Sequence, residues 1–416
     1  MKAIILSAGE GTRMRPLTLT KPKTMLPVAG KPIIQYNIEA LRDCGVKDIL
    51  LIVGYKEEIV RNYFRDGSQL GVNISYATQS KLEGTADAIG YGKDFIEDYE
   101  NSKPDTLMVL TEVEDPSAFG VVELDGDKII NIVEKPKKEE APSNLINTGI
   151  YIFNKDIFDK IEKTEISPRG EYEITDSLSL QIADGKVVKG HKTTKEWMDI
   201  GKPWELIEIN EELLNHIDGE IKGTVEEGAT IHGEVFLDEG SLIRSGVYIK
   251  GPVYIGKNCD IGPNSYIRGN SYFGDNVHIG NAVEIKNSII MENTNVSHLS
   301  YVGDSILGSN CNIAAGTNIA NLRFDNKNVK TTIKNKKTDT GRRKLGAIVG
   351  DFVKTGINSS LSPGVKIGVR STIGSGVLLY EDLESDMRVL VRQEHIFQNK
   401  KETGQISLEE AEENKE

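Results

Sequence analysis

The residues best suited to chemistry sit in three places along the chain. The first is Ala8-Gly9-Glu-Gly11-Thr12-Arg13-Met-Arg15 with Lys21-Pro-Lys23 close behind, directly after the apolar run Ala3–Leu6. Glycines at the end of a short buried strand permit a tight turn, and the N–H groups of such a turn favour an anion. Arg13, Arg15 and Lys23 add fixed positive charge, and the Arg13 fork suits phosphate. The second is a spread of amides and carboxylates that includes Gln79, Glu134-Lys135, Asn147 and Asp199. The third is His298, in the string His298-Leu-Ser-Tyr301-Val-Gly-Asp304; an imidazole is suited to proton transfer near neutral pH. Each is ordinary alone. The paired glycines lack the third glycine of a dinucleotide fingerprint, a Glu-Lys pair is usually solvated, and a lone histidine is more often structural.

Behind the first group, Pro32 precedes an apolar stripe (Ile34, Ile38, Leu41), Gly45 closes that helix, and Ile49–Val53 is a continuous apolar strand. Glu57–Phe64 reads as a helix and Val72–Tyr76 as a strand. This alternation predicts an α/β domain with a mostly parallel sheet, its ligands lying beyond the carboxyl ends of the strands. Pro203 opens an amphipathic helix over Trp204–Ile217, which ends at Asp218-Gly219. Past it the period changes. Val225, Ile231, Leu237, Ile243, Ile249, Ile255, Ile261, Ile267, Phe273, Ile279 and Ile285 fall on every sixth residue. Such a repeat marks a parallel β-helix and is incompatible with an α-helix. The column resumes as Val349, Thr355, Leu361, Ile367, Ile373 and Leu379, with an apparent break between the two runs. The expected organisation is an α/β domain over 1–202, a linker helix over 203–219, a β-helix over 220–390 and an acidic tail over 391–416.

The totals narrow the function. A chain of 416 residues holds two domains with cores of their own, and a net charge of −13 argues against nucleic acid and acidic membranes as partners. Three distant cysteines offer no disulfide or zinc spacing, which fits a reducing cytoplasm. No apolar run is long enough to span a membrane, and Met1-Lys2 leads into a strand rather than a signal sequence. The basic stretch Lys327…Lys330…Lys334…Lys344 reads either as a solvated loop or as a local phosphate clamp.

The string Gly9-x-Gly-Thr-Arg-x-x-Pro-x-Thr…Lys21-Pro-Lys23…Pro27-Val resembles the signature of the sugar-phosphate nucleotidylyltransferases, and the region around His298 resembles the acetyl-transfer site of bifunctional amino-sugar-1-phosphate acetyltransferase/uridylyltransferases. The likeness reaches about residue 390 and is nearest the archaeal-type bifunctional enzymes. It implies a Rossmann-like domain followed by a left-handed hexapeptide-repeat β-helix, which usually trimerises. In the first domain it places Ala8, Gly9, Gly11, Thr12, Gln79, Gly84 and Thr85 on UTP or dTTP, and Gly120, Glu134, Lys135 and Asn147 on the sugar 1-phosphate. Arg13 and Lys23 act on the phosphates, and Asp199 holds Mg²⁺. In the second it makes His298 the base that takes a proton from the sugar amine attacking acetyl-CoA. Arg268, Lys286, Lys327 and Lys330 hold the sugar phosphate there, and Tyr301, Asn312 and Asn321 orient the sugar.

The chain departs from the family pattern once. Ala86–Phe95 runs into Thr106–Leu110 with no strand ending in the family's other metal Asp, a shortfall of about 20–30 residues judged by the size of a βαβ unit. The role passes to none of Asp94, Asp98 or Asp105. This admits a second reading, an acetyltransferase whose first domain only binds. A third is a non-enzymatic scaffold like the regulatory subunits of a translation-factor exchange complex, against which stand Arg13, Lys23, Asp199, His298 and Tyr301 together.

Overall fold

The computed structural model describes residues 1–81, 83–93, 104–194 and 197–397. The stretch 94–103, with Asp94 and Asp98, and the acidic end 398–416 lie outside the described residues.

In the first domain β1 (Lys2–Ser7), β2 (Asp48–Val53) and β3 (Asn73–Thr78) form a parallel sheet in that order. Helices α1 (Ile33–Asp43) and α2 (Glu57–Phe64) cover one face, where Ile34, Ile38, Val60 and Phe64 pack on Ile49, Leu51 and Val53. Helix α3 (Thr85–Gly90) lies on the other, with Ala88 against Ala8, Leu50 and Ile52. Strand β2 is buried on both faces, which its unbroken apolar run requires. Strands β4 (Thr106–Glu112), β5 (Gly120–Asp125), β6 (Lys128–Glu134), β7 (Leu145–Phe153) and β8 (Val188–Lys192) close into a barrel in the order β8-β4-β7-β5-β6. The α/β Rossmann-like reading therefore holds, with the first domain's parallel pairing, among the described residues, confined to β1–β3 and to β4 with β8. The other main ladders of the barrel are antiparallel, as the tight β5–β6 hairpin dictates. Helix α4 (Ile157–Ile161) and helix α5 (Ile174–Ala183) fill the barrel's flank through Ile157, Phe158 and Leu178.

The second domain is a left-handed β-helix of three parallel faces, each coil placing one short strand on each face. The column of aliphatic side chains does not break after Ile285. It continues as Ile290, Val296, Val302, Leu307, Ile313 and Ile319, all fully buried. Two steps of five residues, Ile285 to Ile290 and Val302 to Leu307, hide it from a search for sixes. Each short step rounds a corner on one left-handed residue, Asn287 or Asp304. The true interruption is the excursion after Ile319, which returns at Ile348-Val349 and contains the hairpin Lys330–Ile333 with Lys336–Asp339. Thr355, the polar member of the column, is satisfied by Ala314 N–H at 2.9 Å and the Thr317 hydroxyl at 2.9 Å.

The domains share one buried seam. Met14, Leu17, Leu26 and Val28 of the first domain, with Trp204 at the N-cap of helix α6 (Glu205–Leu214) and Leu206 and Ile207 within it, pack on Tyr272, Met291, Ile306, Val329, Leu345 and Ile348. Asn210 of α6 is fully buried and bridges the two sides, accepting from Ala29 N–H at 3.0 Å and donating to the Asn270 carbonyl at 3.0 Å. Lys21, despite its place in the basic string, leaves the phosphate loop for this seam. Its Nζ lies 2.7 Å from Ser309 Oγ, 3.2 Å from Glu292 and 3.6 Å from Asp351. Asp351 is almost fully buried and also accepts from the Thr20 hydroxyl at 2.7 Å. Removing one member of a buried ion pair leaves the other unpaired, at a cost of about 3 kcal/mol. Lys21→Met is therefore expected to lower stability by that amount in guanidinium unfolding of the whole chain.

Candidate active sites

The loop after β1 turns at Gly11, whose φ of 62° is left-handed. A Cβ there would stand 3.0 Å from Lys23 Cβ and 3.3 Å from Thr18 Cγ2, so glycine also lets the Lys23 segment approach. Gly9 plays a different part. A Cβ at Gly9 meets nothing within 4 Å and points into open space, which keeps room above the backbone for a ligand. Thr18 Oγ1 donates to the Gly11 carbonyl at 2.9 Å and Tyr55 N–H to the Ala8 carbonyl at 2.9 Å, so the loop is braced from both ends.

A cavity of about 470 Å³ opens over this loop. Ala8, Gly9, Gly11, Thr12, Arg13, Lys23, Gln79, Gly84 and Thr85, all singled out from sequence, line it together. Gln79 is buried, and its amide donates to Asp87 at 2.6 Å and to the Gly84 carbonyl at 3.3 Å, which leaves its own carbonyl oxygen as an acceptor. Gly84 has a φ of 125°, and a Cβ on it would fall 2.4 Å from the Tyr172 carbonyl oxygen. Only glycine fits between α3 and that strand of chain, which the Ala86 N–H to Tyr172 carbonyl bond of 3.0 Å holds close. Asp199 is exposed beside the cavity: a Cβ built on Gly201 would lie 3.0 Å from Asp199 Oδ2 and 3.3 Å from Arg13 Nη2, so the carboxylate and the guanidinium converge there. Burial pushes the Lys23 ammonium down, Asp199 opposes this, and Arg13 adds to it. Among the described residues no three carboxylate, imidazole or thiol groups converge on one point.

Gly120, Glu134 and Asn147 meet on the barrel next to this cavity. A Cβ on Gly120 would sit 3.0 Å from Glu134 Oε2 and 3.7 Å from Asn147 Cβ. Glu134 accepts from Arg169 Nη1 at 3.1 Å and from the Thr175 hydroxyl at 3.2 Å, and Lys135 Nζ is 3.3 Å from it. Arg169 and Glu171, the latter lining the cavity, connect the two groups, and no sequence motif reveals Arg169.

In the second domain His298 ends the strand Asn295–His298 in register with Asn281 and is exposed. It opens onto a groove with Asn281, His278, Asp260 and Arg244. Asn312 lies on the same face, between Asn295 and Lys354. Arg268, Lys286 and Tyr301 stand on the next face, where Arg268 and Lys286 are register partners, and Asn321 follows the next strand of that face, Asn318–Ile319. Arg268 Nη1 pairs with Glu284 at 3.0 Å and Lys286 Nζ with Asp304 at 2.8 Å. Asn321 donates to both Tyr301 Oη, at 3.1 Å, and Asp304. Burial and the carboxylates of Asp304 and Glu284 push the Tyr301 phenol up. Asp304 is 2% exposed and gathers Lys286, Asn287 and Asn321, a clamp that the sequence contains but does not announce. Within one chain His298 and the Arg268–Lys286–Tyr301 group therefore lie on two faces joined by the corner at Leu299. Lys327 and Lys330 are exposed on the excursion, outside this group; Lys330 pairs in the hairpin with Asp339.

Comparison with known proteins agrees with both domains. The nucleotidyl transferase family profile matches residues 2–111 and 99–216, two stretches that overlap. The profile for bacterial transferase hexapeptide (six repeats) matches 228–269, and that for the GMPPB C-terminal domain 249–356. The bifunctional protein GlmU of Methanocaldococcus jannaschii is 45% identical over 417 residues, covering 96% of this chain and all of the relative. A bifunctional sugar-1-phosphate nucleotidylyltransferase/acetyltransferase of Sulfurisphaera tokodaii is 43% identical over 405 residues, covering 92% of this chain and 98% of its own. A low-salt glycan biosynthesis nucleotidyltransferase of Haloferax volcanii is 36% identical over 265 residues, 58% of this chain and 74% of its own. With both catalytic modules present and full-length likeness of this degree, the chain belongs to the family of bifunctional sugar-1-phosphate nucleotidylyltransferase/acetyltransferases.

Proposed function

We propose that the chain carries out two consecutive transfers on an amino-sugar 1-phosphate. In the second domain the amine of glucosamine 1-phosphate or galactosamine 1-phosphate attacks the thioester carbonyl of acetyl-CoA. His298 takes the proton from the nitrogen, the C–S bond breaks, and CoA leaves as its thiol. Arg268 and Lys286 hold the sugar phosphate with Lys327 and Lys330 at its margin, while Tyr301, Asn312 and Asn321 orient the ring. The reading is supported by the Arg268–Lys286–Tyr301–Asn321 set on one face; a second copy of the chain in a homotrimer encloses the exposed His298.

In the first domain a phosphate oxygen of the sugar 1-phosphate attacks the α-phosphorus of UTP or dTTP in line, and the bond to the β-phosphate breaks to release pyrophosphate. Lys23 holds the α-phosphate and Arg13 balances charge on the leaving group, so catalysis is positioning and electrostatics. The observation that carries this reading is the convergence of the glycine loop, Arg13, Lys23, Gln79 and Gly84-Thr85 on one cavity. The residues fit Mg²⁺ arriving on the triphosphate, since that ion takes one or two protein carboxylates with phosphate oxygens and water, and Asp199 supplies one. When bound, Mg²⁺ neutralises phosphate charge. The shortfall between α3 and β4 belongs to the same reading. It is supported by the overlap of the two nucleotidyl transferase matches, so that β4 falls almost wholly in both. Both activities suit a cytoplasmic enzyme, and no described helix is long and apolar enough to cross a membrane.

Two assays on one preparation test the division of labour. His298→Ala is expected to lower thiol release by at least about 100-fold, the span of general base catalysis, with pyrophosphate release unchanged. Asp199→Asn is expected to do the reverse. No amino-sugar-dependent thiol release in the wild type would instead sink the acetyl-transfer reading. The half-buried Lys23 also sets a pH limit. It attracts phosphate only when protonated and its pKa is lowered, so triphosphate affinity falls with rising pH earlier than an ordinary lysine would dictate. Calorimetric titration across alkaline pH checks this, and Lys23→Arg should abolish that limb.

A further inference from the structure

The basic excursion of the β-helix reaches the other domain's site. Its hairpin pairs Ile333 with Lys336, so Lys334 and Asn335 form a two-residue turn, and both are left-handed at φ 46° and 62°. Lys334, at the tip of this second-domain element, lines the cavity formed by Gly9, Gly11, Thr12, Arg13 and Lys23.

The hairpin is held there by packing. Val329 at its root and Leu345 at its return are 1% and 0% exposed within the seam, and Ile333, one residue before Lys334, packs on the same cluster. Arg342 Nη1 donates to Glu208 on α6 at 3.1 Å, which ties the returning strand to the linker helix. The edge that Lys334 occupies can also be located. Lys366 Nζ lies 3.5 Å from the Arg15 carbonyl oxygen, and burial first, then the charge of Lys337, pushes the Lys366 ammonium down against two opposing carboxylates. Lys366 thus stands at the Arg15 end of the loop, with Lys337 of the hairpin near it. No anionic partner holds Lys334 among the described residues.

We propose that Lys334 is a binding residue of the nucleotide site contributed by the β-helix, and that it holds the β- and γ-phosphates of the triphosphate and the pyrophosphate that leaves. A triphosphate brings up to four negative charges to a cavity that Arg13 and Lys23 only partly balance. A lysine on a preordered two-residue turn adds a third cation with little ordering cost beyond its own side chain. The proposal rests on the nucleotidyl-transfer reading of the first domain.

The test is calorimetric binding of UTP, pyrophosphate and UMP to the full chain, comparing wild type, Lys334→Ala and Lys334→Arg, with thiol release measured on each preparation. Lys334→Ala is expected to weaken UTP and pyrophosphate about tenfold, the scale of one charge-assisted phosphate contact. UMP binding and thiol release should be unchanged, and Lys334→Arg should restore most of the loss. Equal UTP and pyrophosphate binding in wild type and Lys334→Ala overturns the proposal and leaves the nucleotide reading standing. An equal loss for UTP and UMP, or a parallel loss of thiol release, also overturns it, by giving Lys334 a structural role. A wild type that binds neither UTP nor pyrophosphate overturns the nucleotide reading itself.

Discussion

The structure depends on the apolar seam between its two domains, because the phosphate loop is one wall of it. Met14 and Leu17, one and four residues past Arg13, are 0% and 1% exposed against the β-helix. Side chains buried to that degree contribute about 1.5–3 kcal/mol each, so the turn that aims Arg13 cannot move without opening the seam. Lys21 and Asn210 then fix the register of the contact, since each satisfies buried partners on the opposite side. The first domain's chemistry is thereby built on the second domain's surface. This explains why the string from Gly9 to Lys23 contains cations of two kinds, Arg13 and Lys23 facing the cavity and Lys21 facing away.

The same seam brings the two sites within reach of one element. The excursion leaves the β-helix beside Asn321, whose side chain joins Tyr301 and Asp304 in the second-domain group. It returns at Leu345, whose N–H bonds the Asn321 carbonyl at 3.0 Å, and between these points it carries Lys334 to the first-domain cavity. A displacement at Asn321 would therefore be felt at the root of the hairpin. The packing of Val329, Ile333 and Leu345 makes that root a rigid support rather than a loose loop.

Much of this was legible in the residues. The glycine loop and the six-residue column were readable because each depends on local backbone geometry or strict spacing, whereas Gln79, Gly84-Thr85 and the group around Glu134 were singled out only through the family resemblance. What stayed hidden depends on contacts between distant segments. The five-residue steps at Ile290 and Leu307 look like a break until the coil is closed and the inward row is seen to continue. Lys21 and Lys334 stand where their neighbourhoods alone do not put them: the lysine in the phosphate string serves the seam, and one from a run that reads as either a solvated loop or a local phosphate clamp lines the first domain's cavity. Asp304 shows its clamp only when Lys286 and Asn321 arrive from neighbouring coils.

The charge balance of the first site follows from its strands. The phosphate loop hangs from β1, which among the described strands pairs only with β2, and its free flank is covered by side-chain packing of Ile4 and Leu6 on the barrel cluster around Met108 and Leu110. Strand β4 does not supply a further carboxylate to the loop. Glu112 at its end is taken by Lys192 at 2.7 Å, and Asp105 before its start accepts from Val187 N–H at 2.8 Å. Asp199 thus faces Arg13 and Lys23 with Glu171 at the rim. In a site weighted this way, recognition leans on cations meeting the phosphates directly rather than on carboxylates gripping a shared metal. Each added lysine then counts for more, because the phosphate charge it meets is less fully neutralised by anything else the protein holds in place. On the proposal made above, a cation delivered by the β-helix complements a site whose carboxylates, among the described residues, are Asp199 and Glu171, and the seam then serves the first reaction as well as the fold.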